Sequence, residues 1–326
     1  MILAGDAGGT KTRLALYEDA PGKLVRQQIE TFGSGDFPSL QEIIRIFLSK
    51  NHIAVTKACF GVPGPVVGGR ASSTNLPWIT DENDIAQTLG IASVRLVNDL
   101  VATTAAIPFL NTNDLLTLNA GTLTGQETTF GVLAPGTGLG EAFLYKQGNR
   151  FLPLPSEGGH ADFAPNTEIE IALLKYLQKE IGRVSYERVL CGPGLVNIYN
   201  FLKDTKVAPE PPDLARRMNG ENSAAIISAA GQSGEFEICV KALDIFASVL
   251  GAQAGNLALT MLTTGGVYLG GGIPPKISQK LVDGTFMKAY LNKGRLSNFV
   301  KSIPLYVIRD DHAALLGSAY LASILS

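Results

Sequence analysis

Apolar and polar positions at the N-terminus predict two short strands around a glycine-rich turn. Ile2-Leu3-Ala4 is an apolar run, and Arg13 to Tyr17 has the alternation of a returning β-strand. A similar pattern recurs from Thr129 to Tyr145, where two apolar stretches flank a turn of glycine and threonine. Since each pattern opens one half of the chain, we expect a duplicated α/β domain.

Strand and helix patterns alternate along the rest of the chain. Leu40 to Leu48 places its apolar residues three and four apart, which puts them on one face of a helix. Ser39 with Glu42, and Thr167 with Glu170, have the spacing of capping boxes at helix starts. We interpret 108–114 as the linker between two domains, because it follows a helical pattern that ends at a proline.

The longest uncharged run, Ile245 to Pro275, raises the question of a membrane span. It contains Gln253, Asn256 and several threonines, whereas a span is more uniformly apolar. We therefore predict a buried helix followed by a buried strand, and no membrane contact.

Composition narrows the classes of function. The chain has 326 residues, of which 45% are hydrophobic and 17% charged, and its net charge is -2. Without a block of lysine and arginine, nucleic-acid binding is not expected, and small molecules are the expected partners. Three well-separated cysteines, Cys59, Cys191 and Cys239, argue against a disulfide framework and for a cytosolic protein.

The first glycine turn has the chemistry of a phosphate-binding loop. Gly8 and Gly9 allow backbone N–H groups to approach an anion, while Thr10 and Lys11 add a hydroxyl and a cation. Asp6, at the end of the first strand, can hold the metal ion that accompanies phosphate, directly or through water. A glycine hairpin that binds nothing is the alternative.

Two further glycine segments strengthen the phosphate interpretation. Gly136-Thr137-Gly138 repeats the first turn, so we expect a nucleotide in the cleft between the two turns. Its spacing departs from that of a dinucleotide-binding fingerprint, and a strand rather than a helix follows, so a Rossmann site is rejected. Gly270-Gly271-Gly272 follows a predicted strand and is expected to lie near the adenosine of the nucleotide.

The pair Asn98-Asp99 lies where a clear strand, Val94 to Val97, gives way to a helix. This is the usual ligand-binding edge of an α/β sheet, which favours a catalytic role. Helix capping by Asp99 is the alternative.

The segment Glu157-Gly158-Gly159-His160-Ala161-Asp162 is rich in functional side chains. Carboxylates and an imidazole can bind the hydroxyls of a polar substrate. A metal site is less favoured, since His52 and His312 lack ligand-like spacing, and a structural histidine is the alternative. Glu187, on sequence alone, only favours a helix start.

Six motifs occur together in one order: GDAGGT, LVNDL, APGTGLG, LPSEGGHADFAPN, SYERVLCGPGLVN and YLGGGIPPK. Through these six motifs, the chain resembles the bacterial glucokinases over nearly its whole length. These form part of the hexokinase group of the sugar kinase and actin-like ATPase superfamily. The EGGH run also resembles that of the ROK proteins. The chain lacks their cysteine-rich zinc motif and a preceding helix-turn-helix, which argues against a ROK repressor.

The resemblance implies an α/β fold of duplicated actin-like, ribonuclease H-like ATPase domains, with mixed five-stranded sheets and an interdomain cleft. It implies a small domain of 1–109 plus 302–326, a large domain of 110–301, and a cytoplasmic homodimer. It also implies ATP and Mg²⁺ as cofactors and Asp99 as catalytic base. The implied sugar ligands are Asn98, Asp99, Glu157, His160 and Glu187, and the implied phosphate-facing residues are Asp6, Gly8, Gly9, Thr10, Gly136, Thr137 and Gly138.

The function implied is transfer of the γ-phosphoryl group of ATP to the 6-hydroxyl of glucose. Phosphorylation of another hexose or an amino sugar on the same scaffold is one alternative. A sugar-binding regulator without catalysis is another, against which Asp99 and both phosphate-type turns argue.

Overall fold

The computed structural model describes residues 1–20, 23–51, 53–72, 78–218 and 222–325. The chain divides into two compact units. Unit 1 comprises Met1–Asp114, Asn149–Leu154 and Asp310–Ser326, and unit 2 comprises Leu115–Gly148 and Pro155–Arg309.

Strands and helices alternate as expected from the sequence. The strands are β1 Ile2–Ala7, β2 Lys11–Ala20, β3 Lys23–Gly33, β4 Lys57–Val62, β5 Arg70–Ser72, β6 Ile79–Asp81, β7 Ser93–Asn98, β8 Leu115–Asn119, β9 Thr129–Pro135, β10 Leu139–Gln147, β11 Arg150–Ser156, β12 Val267–Leu269 and β13 Leu305–Ile308. The helices are α1 Leu40–Asn51, α2 Glu82–Leu89, α3 Asp99–Ala106, α4 Glu168–Ile181, α5 Gly192–Asp204, α6 Pro212–Met218, α7 Ser223–Ser233, α8 Glu237–Thr260, α9 Ser278–Val282, α10 Thr285–Leu291, α11 Ser297–Ser302 and α12 Ala313–Ser323. Short 3₁₀ turns lie at Ser34–Asp36, Ile107–Phe109, Thr112–Asp114, Gly158–His160, Tyr186–Arg188 and Gly294–Leu296.

The five-stranded sheet of unit 1 has the order β3-β2-β1-β4-β7. Strands β1, β2 and β3 form an antiparallel meander, while β4 and β7 run parallel to β1. Alternate residues of each strand face opposite sides. Leu3 and Leu14 pack in the core that contains α1, whereas Ala4 and Ala15 pack in the core that contains residues of α3 and α12. The sheet is thus covered by helices on both faces.

Unit 2 repeats this arrangement. The six-stranded sheet has the order β11-β10-β9-β12-β13-β8, and all of its strands except β11, most of which is assigned to unit 1, belong to unit 2. Strand β9 is antiparallel to β10 and parallel to β12. The first five strands in this list match the order in unit 1, which confirms the predicted duplication and the mixed sheets. The second sheet has one strand more than the five expected, because β8, directly after the predicted linker, pairs antiparallel with β13.

The division into units differs in detail from the expected boundaries at 109/110 and 301/302. The segment 149–154 belongs to unit 1, where the backbone N–H of Phe151 donates to Tyr320 Oη over 2.7 Å and its ring packs edge-on against Phe109. The short 3₁₀ turns up to Asp114 also remain with unit 1. It stays a prediction that the expected boundaries are the limits of domains that fold on their own.

Helix α8 is the predicted buried helix, and β12 is the buried strand that follows it. Helix α8 has 24 residues and is long and apolar enough, by length and composition, to cross a membrane. However, 72% of its most apolar window is buried inside the protein. We therefore interpret it as the core helix of unit 2.

Candidate active site

The first glycine turn is held from behind by a buried serine. Ser34 Oγ donates to the carbonyl of Gly8 over 2.7 Å, and the Ser34 backbone N–H donates to the carbonyl of Thr10 over 3.0 Å. Ser34 is fully buried, whereas the side chains of Thr10 and Lys11 are exposed. The backbone of the turn is therefore hydrogen-bonded at two carbonyls, and two polar side chains of the turn are exposed. Ser34 could not be identified from the sequence, because a serine in a loop carries no signal of its partners.

Asp6 and Arg13 are paired across β1 and β2, and Arg13 Nη1 lies 3.3 Å from Asp6 Oδ2. The other guanidinium nitrogen of Arg13 lies 3.1 Å from Asp311 Oδ2. Burial raises the pKa of Asp6; the guanidinium of Arg13 opposes this rise, and the nearby carboxylate of Asp99 adds to it. Arg13 thus favours the ionised form of Asp6.

Asp6 also fits a magnesium ligand. Its side chain is 19% exposed, and its Oδ1 has no hydrogen bond or ion pair to the residues that the structure describes. Mg²⁺ in phosphate-transfer sites keeps several waters and binds one or two carboxylates together with phosphate oxygens. A single accessible carboxylate at the edge of a glycine turn meets that requirement.

Asn98, rather than Asp99, is the N-cap of α3. Its Oδ1 accepts the N–H of Leu100 at 3.0 Å, and its Nδ2 donates to the carbonyl of Gly64 at 3.1 Å. Asp99 is the first helical residue; its Oδ1 also accepts the N–H of Leu100, at 2.8 Å, and its surface is open to solvent. Surrounding protein displaces enough water to raise the pKa of Asp99, while the N–H of Leu100 and the side chain of Asn98 oppose the rise. Asp99 is therefore an accessible carboxylate with a raised pKa.

In unit 2 the second glycine turn and the triple glycine lie side by side. The N–H of Gly270 donates to the carbonyl of Leu133, and the N–H of Ile273 donates to that of Pro135, over 2.9 and 3.2 Å. Gly271 has φ +77°, and a Cβ there would lie 2.6 Å from the carbonyl oxygen of Pro135. Glycine is therefore required at this position by both backbone conformation and space.

Three of the predicted sugar ligands form one cluster in unit 2. His160 Nε2 lies 3.8 Å from Glu157 Oε2, and His160 Nδ1 lies 3.8 Å from Glu187 Oε1. Glu187 Oε2 accepts the N–H of Leu139, the first residue of β10, at 3.0 Å. The cluster therefore adjoins the second glycine turn, which ends at Gly138. Nothing in the local sequence of Glu187 indicates this position, since the fold brings it there from a distant segment.

Arg183 holds the segment that follows His160. Its Nε donates to Asp162 Oδ1 over 2.8 Å, and its Nη2 donates to the carbonyl of His160 over 2.6 Å. Asp162 is thus paired with a guanidinium, whereas Glu157 and Glu187 lie beside the imidazole of His160. Arg183, 21 residues from Asp162, carries no local sequence signal of this contact.

His312 directly follows two acidic residues, Asp310 and Asp311. His312 Nδ1 lies 3.4 Å from Asp310 Oδ1 and 3.3 Å from Asp311 Oδ1, and the candidate ligand atoms of all three lie within 4.8 Å of one another. Asp311 already pairs with Arg13, so the cluster also has a structural explanation. His52 lies outside the described residues.

Comparison with known proteins identifies the family. The family model described as Glucokinase matches residues 3–324. The chain belongs to the glucokinase family. It is similar to a glucokinase of Nostoc sp., with 42% identity over 99% of both chains. A solved structure of a glucokinase from an Antarctic psychrotroph has a TM-score of 0.89 and 32% identity, and covers 99% of this chain and 98% of its own.

More distant structures share the fold. A ROK family glucokinase from Streptomyces griseus, solved in complex with glucose and AMPPNP, has a TM-score of 0.61 and 20% identity, with 99% of each chain covered. The resemblance inferred from the six motifs is confirmed, and so is the actin-like ATPase fold. The protein is a kinase of the glucokinase family.

Proposed function

We propose that the protein transfers the γ-phosphoryl group of ATP to the 6-hydroxyl of D-glucose, giving glucose 6-phosphate and ADP. The observation that carries this proposal is the cluster of Glu157, His160 and Glu187 beside the second glycine turn. Two carboxylates and an imidazole suit the hydroxyls of a sugar, and a glycine turn suits a phosphate. The glucokinase names of close relatives, and the glucose and AMPPNP bound in the Streptomyces griseus structure, support the same substrates.

Asp99 is the proposed catalytic base. The sugar oxygen attacks the γ-phosphorus, the bond to the departing ADP oxygen breaks, and the hydroxyl proton passes to the carboxylate of Asp99. Its raised pKa makes it a better proton acceptor than an ordinary aspartate. Phosphoryl transfer depends mainly on positioning and electrostatic stabilisation, and Asn98 contributes by fixing the start of the helix that carries Asp99.

The phosphates of ATP are assigned to the two glycine turns, with Lys11, Thr10 and Thr137 as side-chain partners. The adenosine is assigned to the triple glycine and to a cleft of about 380 Å³ whose lining begins, after Gly272 in the sequence, at Lys276. This cleft is lined by Ala229, Gln232, Ser233, Lys276, Ser278 and Gln279. Its volume lies within the range of small-molecule sites.

Asp6 is the proposed residue for Mg²⁺, directly or through water. When bound, the ion supplies positive charge for the phosphate oxygens of ATP. Burial raises the pKa of Asp6, and Arg13 opposes this rise and so favours the ionised carboxylate, which is the form that binds a cation.

A panel of sugars, assayed for ADP release with ATP and Mg²⁺, tests the function. We expect the highest kcat/KM for glucose, with mannose, fructose and amino sugars below it. A higher kcat/KM for one of these would reassign the substrate. Glucose binding without sugar-dependent ADP release would instead indicate a regulator.

We further propose a cytoplasmic homodimer, on the family resemblance. Light scattering coupled to size-exclusion chromatography measures the mass. A single 34.5 kDa species at working concentrations would contradict the dimer.

A further inference from the structure

A chain of hydrogen bonds lies behind the sugar-ligand cluster of unit 2. Lys293 Nζ donates to Asn256 Oδ1 over 2.6 Å, and Asn256 Nδ2 donates to Gln253 Oε1 over 3.1 Å. Gln253 Nε2 then donates to Glu141 Oε1 over 2.7 Å. All three bonds point the same way, from an ammonium group to a carboxylate. Aligned bonds of this kind strengthen one another in a medium of low dielectric.

Both ends of the chain of hydrogen bonds are ionisable groups, Glu141 buried and Lys293 half-buried. Glu141 is 4% exposed; burial raises its pKa, and the N–H of Gln253 opposes the rise. Burial lowers the pKa of Lys293, which also donates to the carbonyl of Ala252 over 2.9 Å. Removing a carboxylate from water is costly, so its place in the core calls for an explanation.

Glu141 directly supports the segment that carries Glu157 and His160. A Cβ on Gly158 would collide with Glu141 Oε2, so the backbone of this turn rests on the buried carboxylate. The next residue, Gly159, packs as closely on the carbonyl of Leu139, two residues before Glu141 on β10. The position of the turn is therefore set by β10 and by the Glu141 side chain.

The same chain of bonds reaches the segment that carries Glu187. Asn256 Nδ2 also donates to the hydroxyl of Tyr186 over 3.0 Å. Tyr186 is buried and directly precedes Glu187, and its backbone N–H donates to the carbonyl of Ala161 over 3.0 Å. The amides of Gln253 and Asn256 on α8 thus contact the segment of Glu187 directly, at Tyr186, and the segment of Glu157 and His160 through Glu141.

We propose that Glu141 is a positioning residue for the hexose. Through Gly158, and through Gln253, Asn256 and Tyr186, it fixes the two segments that present Glu157, His160 and Glu187. This inference rests on the proposed function, because it takes those three side chains as sugar ligands.

The test compares Glu141→Gln with the wild-type enzyme. The glutamine keeps an oxygen for the N–H of Gln253 but loses the charge and places an NH₂ against Gly158. We expect KM for glucose to rise about five- to tenfold, the difference between a charged and a neutral hydrogen bond, with kcat changed less than about twofold. KM for ATP should stay unchanged. Calorimetry should show a matching loss of glucose affinity.

Glu170→Gln is the matched control. Glu170 is 3% exposed and lies in the same unit, where it accepts the backbone N–H groups of Asn166 and Thr167 and the hydroxyl of Ser248. We expect it to lose stability and to keep the wild-type KM for glucose. If both variants raise KM for glucose equally, or if Glu141→Gln raises KM for ATP as much as KM for glucose, Glu141 has only a structural role.

Asn256→Asp provides a second route, should Glu141→Gln fold poorly. It keeps the acceptor for Lys293 and removes the donors to Gln253 and Tyr186, so KM for glucose should rise again. An unchanged KM for glucose in this variant would overturn the inference. Glu157→Gln distinguishes a failure of the sugar-site assignment from a failure of the positioning role of Glu141. If Glu157→Gln binds glucose normally, the sugar-site assignment fails; if it binds weakly while Glu141→Gln binds normally, only the role of Glu141 fails.

Discussion

Ser34→Ala removes a single hydroxyl behind the first glycine turn. Ser34 Oγ donates to the carbonyl of Gly8 over 2.7 Å and therefore accepts from the hydroxyl of Thr12, 2.9 Å away. In the variant the carbonyl of Gly8 and the hydroxyl of Thr12 both lose this partner. The hydrogen bond from the backbone N–H of residue 34 to the carbonyl of Thr10 remains. Thr12 is fully buried, whereas water can partly replace the bond at Gly8. We expect the free energy of unfolding to fall by about 2–3 kcal/mol, because an unsatisfied buried polar group costs about 1–3 kcal/mol.

The assay combines thermal melting with steady-state kinetics. For units of this size the loss corresponds to a melting temperature lower by about 5–10 °C. Since the freed turn is the proposed phosphate site, KM for ATP should rise about fivefold or more, which is about 1 kcal/mol of binding. KM for glucose should change little.

Ser39→Ala is the matched control for Ser34→Ala. Ser39 Oγ accepts the N–H of Glu42 at 3.3 Å, at the start of α1 in the same unit. Loss of such a cap costs about 1 kcal/mol, so the control should melt earlier and keep its KM for ATP. A Ser34→Ala enzyme with wild-type KM for ATP would refute the assignment of this turn to phosphate.

Three further predictions follow from the geometry of unit 2. Glu187→Gln should raise KM for glucose about tenfold, as expected when a charged hydrogen bond to a sugar is lost, and calorimetry with glucose checks it. Gly271→Ala should lower the melting temperature by several degrees, because its φ is +77° and a Cβ meets the carbonyl of Pro135, whereas Gly272→Ala, with open space at that position, should melt like the wild type. Folding raises the pKa of Glu141 above its ordinary 4.5, so the wild type loses stability as pH rises through the native pKa. The Glu141→Gln variant cannot titrate there, and its deficit in melting temperature should shrink between about pH 4 and pH 8.

Local patterns in the sequence were enough to predict the elements that frame the site. The hairpin of β1 and β2 and the helix α1 follow from apolar spacing within a few residues. The capping box of Thr167 and Glu170 is present in full, since it depends on residues three apart. The glycine turns were predicted for the same reason. The roles of the site residues themselves stay predictions.

Contacts between distant segments could not be predicted in this way. Gln253 and Asn256 entered the sequence argument only as polar interruptions in an apolar run. In the structure they link Glu141 with Lys293 and Tyr186. Sequence periodicity places such residues on a helix but does not name their partners, which are set by the packing of α8 against other elements. The capping role assigned to Asp99 as an alternative belongs to Asn98 instead, because the helix begins one residue earlier than that alternative required.

The measurement that tests the central claim most directly is glucose-dependent ADP release by Asp99→Asn, together with glucose binding by calorimetry. Asparagine has nearly the same shape and cannot accept the hydroxyl proton. The account predicts glucose affinity within about threefold of the wild type and a kcat lower by about 10²–10⁴-fold, the usual contribution of a general base. A near-normal kcat in this variant would contradict the account.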